Sequence, residues 1–169
     1  MRRVLFLDVL GLLCLLSTSS VAAEAPSVIV PMEVLRTKHI TVQVKVNDVG
    51  PFRLVFDTGA PYSFISGRAA AKIGLITAEQ AQQPSLFGMR GQKTVNSFSV
   101  GDVRVRGLSL MILDHPLLEL LSDVEGPIDG IVGFNFFARF RTTIEYATSQ
   151  LTLTPVDYQP PEVLSHLMA

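Results

Sequence analysis

Asp57, Thr58 and Gly59 stand side by side at the end of an apolar run, and Ala60 follows. A carboxylate becomes a useful proton-transfer group only when something rigid holds it in place. The run Leu54-Val55-Phe56 offers that support: β-branched and aromatic residues suit a packed, pleated surface, so it predicts a buried strand ending at the carboxylate. Gly59 predicts a sharp turn through backbone angles that other residues adopt only at a cost. The Thr58 hydroxyl and neighbouring backbone N–H groups would then flank a positioned general acid or base. Asp-Thr-Gly is also ordinary turn chemistry, so the rest of the chain has to decide between the two readings.

Other chemistries find little support. Three His and one Cys are scattered through 169 residues and leave no zinc set. His39 opens a strand, His115 falls in a loop and His166 lies in the tail. There is no glycine-rich nucleotide loop, so neither a metal nor an organic cofactor is expected. A net charge of −1 gives no argument for nucleic acid or an anionic membrane surface. Asp129 is followed directly by Gly130, with no hydroxyl beside it, and reads as a turn residue.

The elements that must position Asp57 follow from the patterning. Hydrophobic residues make up 48% of the chain and charged residues 17%, enough for one domain with a real core. Residues 28–35 read as an edge strand, because Pro31 and Glu33 interrupt the apolar run. Residues 40–46 alternate strictly, 47–50 form a turn, and 51–56 return toward Asp57. Residues 62–65 resume an extended pattern. Ser66 then caps a helix over 68–73, with Lys72 in its last turn and Gly74 at its stop. Residues 82–94 hold Pro84, Gly88 and Gly91 and read as an exposed loop or hairpin tip, either a lid or a connector. Strands follow over 95–100 and 103–113. Residues 114–126 read as a loop with one helical turn at 117–121. In the next stretch Ile131 and Val132 are expected to be buried. Gly133 would allow a tight approach before a short helix over 135–140. Residues 142–146 and 150–154 close the chain as a hairpin. Each half thus follows hairpin, glycine turn, short helix, consistent with a rough duplication.

Residues 1–23 read as a signal peptide: Arg2 and Arg3, an apolar stretch over 4–16 interrupted by Asp8, then small residues up to Ala23. Cleavage after Ala23 would remove Cys14 and leave a cysteine-free protein that is secreted or held in a bacterial periplasm. If the segment is kept, it becomes a membrane anchor, the one membrane association the sequence offers. The domain is expected over 24–158, with a flexible Pro-rich tail over 159–169.

Taken together, the motifs resemble the retropepsin-like aspartic proteases, in particular their small single-domain bacterial members. The resemblance covers roughly residues 40–155. It rests on Leu54-Val55-Phe56-Asp57-Thr58-Gly59-Ala60, on Ile73-Gly74-Leu75, and on Asp129-Gly130-Ile131-Val132-Gly133 before Phe134-Asn135-Phe136-Phe137. It rests last on Thr143-Ile144-Glu145-Tyr146 with Leu151-Thr152-Leu153. It implies an all-β, closed β-barrel-like acid protease fold with two short helices and a flap. It further implies Asp57 as the catalytic residue, supported by Thr58, Gly59 and Ala60, with Ile131, Val132 and Gly133 in the second-half loop. The flap would present Phe87, Gly88 and Met89 to a peptide or protein substrate. A homodimer would supply one Asp57 per chain and activate water between the two carboxylates. Pro61 departs from the family, which usually has Ser or a similar polar residue there. The alternative is a catalytically silent domain of the same fold that binds peptides or a partner through the same cleft.

Overall fold

The first predicted strand is divided in two. Val28–Pro31 (β1) and Glu33–Val34 (β2) separate at the buried Met32, where the chain leaves one sheet for another. The structure is a computed structural model describing residues 26–158. The predicted signal peptide over 1–23 and the tail over 159–169 lie outside the described residues. Ile40–Val46 (β3) and Val49–Phe56 (β4) form the expected hairpin. Its turn is tighter than predicted: Asn47 and Asp48 both take positive φ, at 50° and 65°, so the return strand begins at Val49. Two such residues give the turn whose twist matches that of the flanking strands.

Phe64–Ile65 (β5) leads into Gly67–Ile73 (α1). Ser66 Oγ accepts from Ala69 N at 3.2 Å, and Gly74 stops the helix at φ 80°. The next stretch departs from expectation. Ala78–Gln82 (α2) is a helix begun by a reciprocal cap between Thr77 and Gln80. A 3₁₀ turn over Leu86–Gly88 follows, and Met89–Val95 (β6) is a paired strand with a bulge at Arg90, where the sequence predicts a loop or hairpin tip over 82–94. Phe98–Val100 (β7), Val103–Val105 (β8) and Leu108–Leu113 (β9) come next.

Residues 114–126 also depart from the predicted loop, because Pro116–Glu125 (α3) is a full helix. Pro116 occupies its first turn, where a missing N–H costs nothing, and His115 Nδ1 accepts from Leu117 N at 3.1 Å. Gly126 ends it at φ 81°. Gly130–Val132 (β10), Phe134–Phe137 (α4), Phe140–Glu145 (β11) and Gln150–Pro155 (β12) complete the chain. Two helices were legible in the sequence; α2 and α3 are additions.

The larger sheet runs β6-β9-β5-β10-β4-β3-β7-β8, with β2 beside β3, and curls into a half-barrel. At its centre β10 lies parallel to β4 and antiparallel to β5, so Ile131 has Val55 on one side and Phe64 on the other. A smaller sheet runs β1-β12-β11. In it β12 has neighbours on both sides, so its edges are filled within the chain. The outer edges of this sheet belong to β1 and β11.

Strand alternation sorts the three central strands onto two faces. Leu54, Phe56, Ile65 and Val132 point into the main core with Phe98, Phe136, Leu151 and Leu153. Val55, Phe64 and Ile131 point the other way, and α3 covers them with Leu118 and Leu121. Burying each of those leucines contributes ~1.5–3 kcal/mol, ample to hold a ten-residue helix.

Candidate active site

Asp57 directly continues β4. Its N–H donates to Val132 O at 3.0 Å, so the β4–β10 pairing extends to the carboxylate-bearing residue. The chain then turns back: Gly59 N donates to Asp57 Oδ1 at 2.8 Å and Ala60 N to Asp57 O at 3.4 Å. One carboxylate oxygen is thus fixed by its own loop. Thr58 and Gly59 are exposed, while Asp57 and Ala60 are half-buried. Gly59 does not take the left-handed angles expected of it. What it supplies is room, since a Cβ there would sit 3.3 Å from Asp57 Oδ1.

Helix α4 is stitched to this loop by its first donors, groups no helix can satisfy internally. Phe134 N donates to Ala60 O at 2.8 Å and Asn135 N to Pro61 O at 3.2 Å. Pro61 thereby contributes its carbonyl to the loop. The support beneath comes from two residues that the motif reading passed over, Ser63 and Asn135. Ser63 is fully buried; its Oγ donates to Asn135 Oδ1 at 2.8 Å and accepts from Gly133 N at 3.0 Å. Ser63 N also donates to Asn135 Oδ1 at 2.8 Å, and Asn135 Nδ2 donates to Ser109 O at 2.7 Å. Both were visible as lone polar residues, Ser63 between Tyr62 and Phe64, Asn135 among three phenylalanines. Gly133 meets its predicted role: a Cβ there would lie 2.4 Å from Tyr62 O and 2.8 Å from Ala60 O. Ile131 and Val132 are buried as expected, on opposite faces of β10.

Phe87, Gly88 and Met89 occupy a different position. Leu86, Phe87 and Met89 are exposed, and Phe87 takes φ 54°. Their turn sits at the Leu113 end of β9, whereas Asn135 bonds to Ser109 at the other end. Gly88 is pressed onto the backbone there, since a Cβ would lie 2.2 Å from Asp114 O, and Asp114 N donates to Gly88 O at 2.9 Å. Arg90 clamps the same corner. Its Nε meets Asp114 Oδ2 at 2.6 Å, and its Nη1 donates to Gln80 O and Gln83 O, each at 2.7 Å.

The remaining acidic side chains near the motifs are engaged elsewhere. Asp129 pairs with Arg68 at 2.8 Å and accepts from Arg53 N at 3.2 Å, a structural use in keeping with a turn residue. Asp48 pairs with Arg104, Glu33 with Arg53 and Glu125 with Arg36. His115 caps α3, and its ring lies 5.9 Å from that of Phe64.

A parallel strand crossing that ends in an Asp-Thr-Gly turn, set in a curled, mostly β sheet, defines the retropepsin-like fold. One solved structure with this likeness is a retropepsin-like aspartic protease from Rickettsia conorii. It is 18% identical, with a TM-score of 0.53, over 78% of this chain and 93% of that one. A family model described as aspartyl protease matches residues 42–136, from β3 through Asp57 to α4. The chain belongs to the aspartyl protease family. No curated protein sequence matches it.

Proposed function

We propose that the protein is an aspartic endopeptidase working as a homodimer, with Asp57 of each chain facing the other across a twofold axis. The observation that carries this reading is the Asp57 turn. A carboxylate continues a buried strand, one oxygen is held by Gly59 N at 2.8 Å, and the other oxygen is left for chemistry. Two such carboxylates would share one proton, because like charges ~3 Å apart resist joint ionisation. The ionised one takes a proton from a bound water, and the protonated one donates to the scissile carbonyl. Thr58, exposed beside Asp57, would tie the two loops together. Asp48, Asp114 and Asp129 are each paired with an arginine, which supports drawing the second carboxylate from a second chain. Substrates are peptides or proteins; no metal or cofactor takes part. Phe87 and Met89 would meet substrate as a flap only if their turn reaches over the cleft. Export through residues 1–23 would put the enzyme in the periplasm or outside the cell. Among the described residues no helix is long and apolar enough to cross a membrane.

A peptide-cleavage assay with wild type and Asp57→Asn tests the proposal. Loss of cleavage in the variant supports it. Full activity in Asp57→Asn removes it, and peptide binding without cleavage by wild type would favour the silent-domain alternative. Wild-type subunits mixed with excess Asp57→Asn should lose activity, because each mixed dimer holds one working carboxylate. Activity proportional to wild type at dilutions where only monomers sediment would refute the dimer.

A further inference from the structure

Alternation along β4 places the Asp57 side chain on the face of Val55, two residues earlier, since the ladder to β10 runs unbroken to Asp57 N. That face continues sideways through Ile131 and Phe64, which are in register with Val55, and Ala60 packs against it. It is thus the apolar wall adjoining the carboxylate. Helix α3 lies on it: Leu118 and Leu121 are buried there, and Leu117 packs beside them. We infer that α3 is a built-in cover of the substrate cleft, and that its leucines occupy the positions that apolar substrate side chains take when the cover moves aside. The inference rests on the proposed protease reading.

The way α3 is attached fits a movable part. Among the described residues no backbone–backbone hydrogen bond joins it to the sheet; such bonds at its ends stay within the local chain, from Leu118 N to His115 O and from Gly126 N to Ser122 O. His115-Pro116 and Gly126-Pro127 bracket it. Its polar ties gather at the C-terminal end. Arg53 Nη1 donates to Glu125 O at 2.6 Å, Thr37 N donates to Glu125 Oε1 at 3.0 Å, and Arg36 reaches both Val124 O and the Glu125 carboxylate. Arg36 is itself 76% exposed, so its side chain can be truncated without opening a core, and Thr37 N still holds the Glu125 carboxylate, which is 7% exposed. The covered wall is aliphatic and aromatic throughout. The peptide class it would accept therefore carries leucine-like side chains beside the scissile bond, not charged ones.

The test separates the cover from the chemistry. In an Asp57→Asn background, binding of a fluorescent leucine-rich hexapeptide is compared with that of an aspartate-substituted control. Adding Arg36→Ala or Leu121→Ala should tighten the leucine peptide by about fivefold, because a larger open fraction lowers the apparent Kd in proportion, while the control, whose charged side chains do not enter the apolar wall, should show no cleft binding to be tightened. With Asp57 intact, kcat/KM should rise by the same factor, mainly through KM. A second measurement needs no loosening variant. Saturating leucine peptide should speed amide exchange across residues 116–125 of the Asp57→Asn protein. Unchanged or weaker affinity in a folded loosened variant would overturn the inference, as would peptide binding that leaves α3 exchange unaltered or slower. If peptide opens α3 but the Asp57 protein cleaves nothing, the cover stands and the protease reading falls.

Discussion

Ser63 and Asn135, 72 residues apart in sequence, share two hydrogen bonds at 2.8 Å, one from the Ser63 hydroxyl and one from its backbone N–H. This contact ties the strand leaving the Asp57 loop to the helix that follows β10. Asn135→Ala would strand Ser63 N and its hydroxyl and remove the donor to Ser109 O. Buried unpaired groups cost about 1–3 kcal/mol each, so chemical denaturation should show at least about 2 kcal/mol lost. Asn135→Asp keeps the acceptor and should lose less. Equal stability of Asn135→Ala and wild type would contradict this account.

Gly88→Ala tests the corner at Asp114. Position 88 has φ 75°, and its Cβ would lie 2.2 Å from a backbone oxygen. The substitution should destabilise by more than about 1 kcal/mol, because strain and collision act together. A Gly88→Ala, Gly91→Ala double variant therefore cannot report flexibility cleanly, contrary to what a free hairpin tip would allow.

Arg90→Lys should not rescue Arg90→Met. The guanidinium spans Asp114 and two carbonyls at once, from a side chain 13% exposed, and an ammonium cannot reproduce that fork. Both variants should lower the melting temperature by similar amounts in calorimetry.

Asp129→Asn distinguishes a structural carboxylate from a reacting one. Its partner Arg68 is 54% exposed, so the lost ion pair should cost at most about 1 kcal/mol. Turnover per folded molecule should stay unchanged while that of Asp57→Asn vanishes.

Acid should loosen α2 first at its start. The hydrogen bond with the Thr77 side chain, then a backbone bond at its own position, holds the Glu79 carboxyl below the usual glutamate value, against a small opposing effect of burial. A carboxyl depressed in the folded state stabilises it above the unfolded value, and the gain disappears as pH falls through the folded one. Amide protection over residues 78–82, taken relative to the intrinsic exchange rate at each pH, should therefore fall below the ordinary glutamate range, while protection in Glu79→Gln should stay nearly constant there.

Much of this was legible because local chemistry and tertiary need coincide. The alternation of Ile40 to Val46, the cap at Ser66 and the stop at Gly74 each act within a few residues. The Asp57 turn and Gly133 were legible as a motif pair. Helix α3 was not read because its leucines face a wall made by Val55, Phe64 and Ile131, which no local periodicity announces. Strand β6 looked like a loop because residues 89–94 are mostly exposed polar groups on a sheet edge, held by backbone pairing with β9. Ser63 and Asn135 carry their importance in each other, and a linear reading sees each alone.

Val28 pairs with Leu153, so the first strand of the described chain finds its neighbour in the last. During synthesis β1 must wait, its backbone groups open, until 125 further residues have been made. Contacts so distant in sequence are entropically late to form, which makes closure of the small sheet a concluding event in folding. A chain stopped before Gln150 would strand β1 and β11 together, and it would present two open edges where the finished protein has filled the space between them.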